Sequence, residues 1–382
     1  VVLTAFHAPA SYTGEHVIEI GCHGGVLVSA RVLQAVLAAG ARAAGPGEFT
    51  QRAFLNGKMD LTQAEAVMDL IRAQTPLAAR SAAEQLRGGI GARIVEIREA
   101  LLDIVAHVEA YIDFPDEDIA PDTGAEMRNR MATALAKINA LLATADEGRI
   151  LREGVRLAIC GRPNAGKSSL LNRLLGYERA IVSPTPGTTR DTIEETLNLR
   201  GIPFRVTDTA GLRETPDAVE REGVRRARET VENANVVLRV VDATDSESFD
   251  DPSAAPDEIV VANKCDLAPI QNPKSKIQNA VAISCLSGEG ISALVEVIVG
   301  RVRSGSLPPQ DSLAAINARH QTCLQRAKAA LEAAMARFDA KEAPEFVALD
   351  LRIALDAAGE VVGVVDTEDI LGRIFGTFCI GK

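Results

Sequence analysis

The chain has 382 residues, of which 47% are hydrophobic and 24% are charged, and its formal net charge is −11. This length predicts two or three domains. The negative charge argues against a chain-wide attraction to nucleic acid, because phosphate binding depends on clustered Lys and Arg.

No apolar run approaches the roughly 20 residues that a membrane helix needs, and no signal peptide opens the chain. The six cysteines are scattered without a CxxC pair, which indicates reduced thiols. We therefore expect a soluble, cytoplasmic protein that does not bind a membrane.

The first part of the chain changes character near residue 58. Residues 1–57 mix short apolar runs, glycine turns and one helical stretch, which indicates part of an α/β domain. Residues 58–151 are helical in pattern, with a loop predicted at 115–124, where two prolines and a glycine interrupt it. One apolar stripe recurs at steps of three and four residues and requires a partner helix. Its members are Ile94, Ile97, Leu101, Ile104, Val108 and Ile112.

The periodicity changes again in residues 152–306. Four short apolar runs, at 155–160, 234–242, 258–264 and 279–284, alternate with helical or turn-rich stretches. This alternation predicts a mostly parallel sheet that is covered on both faces.

After a linker at 304–309, residues 307–382 are helical in pattern, with Leu324, Leu331, Met335 and Phe338 on one face. The last predicted helix should dock through Ile370, Leu371, Ile374 and Phe375. The simplest architecture is an all-α domain in two pieces with an α/β domain inserted between them.

A phosphate-binding loop follows the first strand of the α/β domain. The segment GRPNAGKSS at 161–169 fits the pattern GxxxxGK[ST] and lies between a strand and an apolar helix. Gly161 and Gly166 allow backbone N–H groups to surround a phosphate, Lys167 reaches the β and γ oxygens as a catalytic cation, and Ser168 binds Mg²⁺. The predicted nucleotide contacts in this loop are Asn164, Ala165, Gly166, Lys167, Ser168 and Ser169.

Four further segments predict that the nucleotide is GTP. In DTAG, Asp208 supports the magnesium ion and Gly211 donates to the γ-phosphate, with Thr209 and Ala210 between them. In NKCD at 263–266, Asp266 accepts from guanine N1–H and N2–H. The remaining predicted contacts are Asn263 and Lys264 in NKCD, Ser284, Cys285 and Leu286 in SCL, and the Mg²⁺ ligand Thr189 in PTPGTTRD. Together these segments indicate a GTPase.

The residue after DTAG is Leu212, where small GTPases carry a glutamine that orients water. The amide oxygen of Asn164 is a candidate ligand for a monovalent cation that takes the place of an arginine finger. The alternative is that Asn164 only favours a turn.

The motifs GRPNAGKSSLLN, PGTTRD, DTAGLRET and the terminal FCIGK, with PGEFTQRAFLNGKMDLTQAEAVMDLI at 46–71, resemble those of the MnmE (TrmE) family of tRNA-modification GTPases. The resemblance covers nearly the whole chain and implies four regions. They are a partial folate-binding and dimerisation domain at 1–57, which lacks about its first half, two helical pieces at 58–151 and 307–382, and an inserted P-loop GTPase domain at 152–306.

The resemblance also implies an activity. Such a GTPase, with the partner MnmG and its FAD and NADH, installs an aminomethyl or carboxymethylaminomethyl group on the wobble uridine of tRNAs. The one-carbon unit comes from 5,10-methylene-tetrahydrofolate, and K⁺ drives the G domains of a homodimer together.

The resemblance also implies roles for individual residues at positions where this sequence matches a motif of the family. The implied K⁺ ligands are Asn164, Ser183, Thr185 and Thr188, of which Ser183 and Thr188 also contact GTP. Glu220 would orient the hydrolytic water, and Glu19, Lys58 and Lys382 would line the folate site. Cys379 would lie near the one-carbon chemistry, as a nucleophile or in a positional role.

Two alternatives remain open from the sequence. A ribosome-assembly GTPase switch shares the phosphate-loop asparagine, but it usually carries an RNA-binding appendage, and this chain has no KH-type GxxG or basic domain. A helical scaffold whose GTPase domain regulates assembly is the other.

Overall fold

The computed structural model describes residues 1–113, 124–177, 194–208, 231–245, 258–267, 280–306, 315–364, 374–376 and 378. The chain divides into two compact units. The first unit comprises Val1–Ile71, Ala82–Ala145 and Ala314–Lys382, and the second comprises Arg72–Ser81 and Asp146–Leu313.

The first unit begins with an antiparallel hairpin of β1 (Val2–Phe6) and β2 (Val17–Gly21) and continues with helices. In chain order these helices are α1 (Val26–Ala38), α2 (Glu48–Leu55), α3 (Leu61–Arg72), α4 (Pro76–Leu86), α5 (Gly89–Asp113), α6 (Gly124–Leu142), α10 (Ala318–Asp339) and α11 (Pro344–Val362). The helices α3 and α4 each include residues of both units, because Arg72–Ser81 belong to the second.

The core of the first unit is formed by α5, α6, α10 and α11. The apolar stripe predicted on α5 is confirmed, because Ile94 and Leu101 are fully buried and the other members also pack into this core. On α10, Leu324 and Leu331 are fully buried, and Met335 and Phe338 pack against this core. The apolar stripe of α5 therefore packs against α6, the next helix in the chain, and against α11, which lies more than 200 residues later.

A smaller cluster in the same unit includes Phe375 and Phe378. Phe375 and Phe378 are buried against Leu61, Ala64 and Met68 of α3. The predicted docking of the last segment is confirmed for Phe375, and Ile374 packs beside it. The predicted contacts of Ile370 and Leu371 lie outside the described residues.

Among its described residues, the second unit contains a six-stranded sheet and three further helices. They are α7 (Ala145–Glu153), β3 (Val155–Cys160), α8 (Lys167–Tyr177), β4 (Glu194–Leu199), β5 (Ile202–Asp208), β6 (Val236–Asp242), β7 (Ile259–Asn263), β8 (Val281–Ala282) and α9 (Ile291–Ser306).

The strand order of the sheet is β4-β5-β3-β6-β7-β8, and every neighbouring pair is parallel except β4 with β5. The strands β3, β6 and β7 are almost entirely buried, as expected for apolar strands covered on both faces. Their carboxyl ends meet at one edge of the sheet, which is the usual place for a ligand in such a fold.

The four predicted strands are all present, so the mostly parallel sheet is confirmed, although β8 is only two residues long. The strand β4 was missed, because the segment EETLNL is polar at alternate positions and lies at the edge of the sheet. The helix α9 continues to Ser306, three residues into the predicted linker. A helix is stopped by proline more firmly than by serine or glycine, and the prolines come only at 308 and 309.

The P-loop α/β domain inserted into an all-α domain, after an N-terminal α/β segment, is thus confirmed as the fold class. The predicted loop at 115–124 lies outside the described residues except for Gly124, where α6 begins. Within the described ranges, no helix combines the length and the apolar composition needed to cross a bilayer.

Candidate nucleotide-binding site

The loop between β3 and α8 has the backbone of a phosphate cradle. Gly161 has φ 139° and Gly166 has φ 97°, both in the region that favours glycine. A Cβ at Gly161 would overlap the carbonyl oxygen of Val240, and one at Gly166 would overlap the side-chain amide of Asn263. The two glycines of the pattern are therefore required by close packing as well as by backbone conformation.

Lys167 begins α8 and folds back over the loop. Its Nζ donates to the carbonyl oxygens of Gly161 and Arg162, each at 2.9 Å. The first turn of α8 carries backbone N–H groups without helical acceptors, so its N-terminus attracts an anion. Ser168 and Ser169 are exposed beside Lys167. The arrangement fits a bound nucleoside phosphate with Mg²⁺ at the Ser168 hydroxyl.

The side chain of Asn263, which is 2% exposed, joins two loops. Its Nδ2 donates to the carbonyl of Ala165 at 3.0 Å, and its Oδ1 accepts from the backbone N–H of Cys285 at 3.1 Å. Because Asn263 ends β7 and Ala165 lies in the phosphate loop, the NKCD and SCL segments are held together with that loop.

Lys264 is tied to the end of the neighbouring strand. Its Nζ lies 2.6 Å from Oδ2 of Asp242, and Thr244 donates its N–H and its hydroxyl to Oδ1 of the same carboxylate. Burial raises the pKa of Asp242, but the hydrogen bonds from Lys264 and Thr244 outweigh it and the pKa is lowered. Asp242 was not predicted from sequence, and its position as the last residue of the apolar strand β6 was the available signal.

A cavity of about 100 Å³ lies between the phosphate loop and the end of β6. Arg239 is part of its wall and pairs with Glu258 at 3.1 Å, and each of the two side chains is 8% exposed. Arg162 and Asp245 form an exposed pair at 3.6 Å at the rim. These charges keep the edge of the phosphate loop polar.

The SCL segment follows β8 and is held from two sides. Ser284 is fully buried, and its Oγ accepts from the N–H of Ser287 at 3.1 Å. Arg173, on α8, donates to the carbonyl oxygens of Cys285 and Leu286. The sequence signals no role for Arg173, because it lies in the apolar run LLNRLL outside every nucleotide motif.

The structure thus brings together three of the predicted segments, GRPNAGKSS, NKCD and SCL. Asp266 and Leu286 are exposed near the end of these loops, and Asp208 ends β5, the strand beside β3. The side chain of Asp208 is outside the described residues. So are all predicted site residues of the remaining segments, namely Ser183, Thr185, Thr188, Thr189, Thr209, Ala210, Gly211, Glu220, Cys379 and Lys382.

The two predicted folate residues that are described lie in the first unit. Glu19 is exposed on β2 and is paired with Thr4 of β1. Lys58 donates to the carbonyl of Pro9 at 3.0 Å. Among the described residues, no group of three or more His, Cys, Asp or Glu side chains is arranged to hold a metal ion.

The strand, phosphate loop and helix, with the asparagine of NKCD behind the loop, define a P-loop GTPase, an enzyme that binds GTP and Mg²⁺ and hydrolyses GTP. A family model of the MnmE helical domain matches residues 61–379, and a model of the GTP-binding protein TrmE N-terminus matches residues 1–58. The chain belongs to the MnmE family.

Relatives with this name are similar over the whole chain. The tRNA modification GTPase MnmE of Akkermansia muciniphila is 51% identical over 385 residues, which cover 100% of this chain and 85% of that protein. The tRNA modification GTPase MnmE of Aquifex aeolicus is 48% identical and covers 100% of this chain, which spans 86% of its length. The solved FeoB G domain of Methanococcus jannaschii is 26% identical over 39% of this chain and 98% of its own, with a TM-score of 0.29.

Proposed function

We propose that the protein is a K⁺-activated GTPase that modifies the wobble uridine of tRNAs at C5. It works with the FAD-dependent partner MnmG, which uses NADH, and takes its one-carbon unit from 5,10-methylene-tetrahydrofolate. The observation that carries the proposal is the assembled phosphate cradle in a chain that is about half identical, over its full length, to proteins named tRNA modification GTPase MnmE.

GTP is held by the phosphate loop in this proposal. Backbone N–H groups from Asn164 to Ser169 surround the β-phosphate. When GTP enters, Lys167 exchanges its two carbonyl acceptors for the β and γ oxygens, at little cost because both are exposed at the loop surface. Mg²⁺ is bound by Ser168 and Thr189, and Asp208 supports it. Thr209, Ala210 and Gly211 face the γ-phosphate.

The base is recognised by the two segments that Asn263 ties to the phosphate loop. Asp266 accepts from guanine N1–H and N2–H, a donor pair that adenine lacks. The backbone of Ser284, Cys285 and Leu286 closes the pocket. Asn263 supports this role through its contacts with Ala165 and Cys285, since it holds the base segments at a set distance from the phosphates.

Hydrolysis depends on K⁺ held by Asn164 together with Ser183, Thr185 and Thr188. Asn164 has φ 63°, so the loop presents its exposed side chain from a left-handed turn. A K⁺ ion held there would supply positive charge between the β and γ phosphates, which is the task of an arginine finger in other GTPases. Glu220 orients the attacking water.

The one-carbon chemistry takes place in the N-terminal domain, at a site lined by Glu19, Lys58 and Lys382. Packing of Phe375 and Phe378 against α3 supports this placement, because these two residues precede Cys379 and Lys382 in the chain and α3 follows Lys58. Cys379 is one residue beyond Phe378. Whether it acts as a nucleophile or by position is the question that Cys379→Ser addresses.

The domain limits in this proposal are 1–57, 58–151, 152–306 and 307–382, and the active form is a cytoplasmic homodimer that binds tRNA. Because the net charge of the chain is −11, tRNA must bind to a local basic patch or through the partner.

The decisive experiment measures GTP turnover of the full-length protein in KCl and in NaCl, with and without the flavoprotein, and follows the modified nucleoside in tRNA by mass spectrometry. Faster turnover in KCl and a folate-dependent new nucleoside are expected. Equal turnover in the two salts excludes the cation mechanism, and unmodified tRNA with active GTPase excludes the tRNA role.

A further inference from the structure

The guanidinium group of Arg173 spans two consecutive carbonyl oxygens of the SCL segment. Its Nε donates to Cys285 at 2.9 Å, and one terminal nitrogen donates to Leu286 at 2.6 Å. Arg173 lies on α8, the helix that begins with Lys167 of the phosphate loop. A single side chain therefore connects the phosphate-binding helix to the segment that closes the proposed base pocket.

These two hydrogen bonds orient two peptide planes. In a trans peptide the carbonyl of one residue and the N–H of the next point in opposite directions. Because the Cys285 carbonyl is directed to Arg173, the Leu286 N–H is directed away from it. The Leu286 carbonyl fixes the Ser287 N–H in the same way, and that group donates to Ser284 Oγ at 3.1 Å.

The Leu286 N–H has no acceptor within the described ranges of the chain, and the residue is 82% exposed. The neighbouring Cys285 N–H already donates to Asn263. The segment therefore offers one oriented and unused backbone donor beside the NKCD residues. A donor at this place suits the O6 acceptor of guanine.

We propose that Arg173 is a positioning residue for guanine recognition: by holding the Cys285 and Leu286 carbonyls, it directs the Leu286 N–H to guanine O6. The inference rests on the proposed guanine pocket. A charged donor with two bonds forms stronger hydrogen bonds than a neutral one, so the segment is held before the nucleotide arrives. Lysine cannot replace it, because an ammonium group lacks the planar fork that reaches two carbonyls.

The test measures dissociation constants of GDP and 6-thio-GDP by displacement of a fluorescent GDP analogue from the full-length protein. Sulfur at position 6 is a weak acceptor, so 6-thio-GDP gains little from the Leu286 N–H. Arg173→Ala and Arg173→Lys are expected to weaken the binding of GDP about tenfold, equivalent to ~1.4 kcal/mol. They should weaken the binding of 6-thio-GDP by less than about threefold. The preference for GDP over 6-thio-GDP should fall accordingly.

Arg200→Ala is the matched control, since it removes an exposed arginine that pairs with Glu296 in the same unit at 2.7 Å. It should leave both constants unchanged. An unchanged GDP constant in the Arg173 variants, or an equal loss for both nucleotides, would overturn the proposal.

Asp266→Asn is measured in parallel with GDP and xanthosine diphosphate to test the pocket itself. If Asp266→Asn binds xanthosine diphosphate more tightly, but Arg173→Ala leaves the GDP dissociation constant unchanged, only the role of Arg173 is rejected. If Asp266→Asn binds xanthosine diphosphate no more tightly than the wild type does, the proposed guanine pocket is rejected.

Discussion

The carboxylate of Glu65 lies 2.6 Å from Nε2 of His320, a histidine with no exposed surface. The N–H of Asn317 donates to the other ring nitrogen, Nδ1, so Nε2 carries the proton directed at Glu65. Arg319 and the Asn317 amide also donate to the carboxylate. This network joins α3 to the first turn of α10.

The Glu65 network should make the first unit sensitive to acid. Burial raises the pKa of Glu65, but the hydrogen bonds from His320 and Arg319, together with the positive charge of Arg319, outweigh it and hold the pKa at about 2 instead of 4.5. A group with a lowered pKa stabilises the folded state above its unfolded pKa and loses that contribution as the pH falls. We expect up to ~3 kcal/mol of unfolding free energy to disappear between about pH 4.5 and about pH 2.

Glu65→Gln removes the charge and should lower the unfolding free energy near neutral pH by roughly 3 kcal/mol. It should also flatten the acid dependence, as measured by chemical denaturation at several pH values. Glu84→Gln is the control, because the exposed Glu84–Arg87 pair at 3.2 Å contributes less than about 1 kcal/mol. An acid dependence identical to that of the wild type in Glu65→Gln would show that other groups cause it.

Gly47 should be needed for the close packing of Phe375 and Phe378. Its φ is 64°, and a Cβ there would lie 3.0 Å from the Phe375 carbonyl oxygen and from two Phe378 side-chain atoms. Gly47→Ala is expected to lower the unfolding free energy by ~1–3 kcal/mol through overpacking and the strained φ. It should speed release of C-terminal residues by carboxypeptidase and reduce tRNA modification, with GTP turnover retained.

The control for Gly47 is Gly57→Ala. Gly57 has nearly the same backbone angle, φ 67°, but a Cβ there would meet nothing within 4 Å. The two variants share the cost of backbone strain, so a difference in carboxypeptidase release measures the contact with Phe375 and Phe378. Equal release of C-terminal residues from both variants would contradict the role of Gly47 in the packing of Phe375 and Phe378.

Asn164 should account for most of the proposed acceleration by K⁺. Because its φ is 63°, Asn164→Ala adds backbone strain to the loss of the amide, whereas Asn164→Gly removes the amide without strain. Turnover of GTP in KCl relative to NaCl should fall close to one in both variants. If only the alanine variant lost the K⁺ effect, the backbone of the loop and not the amide would be responsible.

Gly166 should tolerate no side chain. A Cβ would overlap the Asn263 amide that donates to Ala165, so Gly166→Ala must displace either the phosphate loop or the NKCD segment. We expect GTP affinity to fall by about a hundredfold or more, equivalent to ~3 kcal/mol. Titration with a fluorescent GTP analogue measures the loss.

Gly176→Ala is the comparison for Gly166, because a Cβ at Gly176 meets nothing within 4 Å and alanine favours the helix. It should bind GTP as the wild type does and raise the melting temperature slightly. Wild-type GTP affinity in Gly166→Ala would refute the steric argument.

Much of the fold follows from periodicity. The stripe on α5 and the apolar strands β3, β6 and β7 were predictable. Apolar residues at helical spacing, or in a short continuous run, indicate a surface that is buried in a core. The polar edge strand β4 was missed, since half of its surface needs no apolar residues. The end of α9 was placed too early, because serine and glycine weaken a helix without ending it.

The nucleotide motifs were also readable in the sequence, because phosphate, magnesium and guanine each require particular residues at short and fixed spacings. Glycines 161 and 166, Lys167 and the NKCD segment follow from that chemistry alone. Contacts between residues far apart in the chain do not. Three such contacts depend on how helices and loops pack, and no local pattern encodes which residues meet. They are those of Arg173 with Cys285, of Glu65 with His320 and of Gly47 with Phe378. The sequence by itself determined the chemistry of the site, and the tertiary structure decided which residues hold it in place.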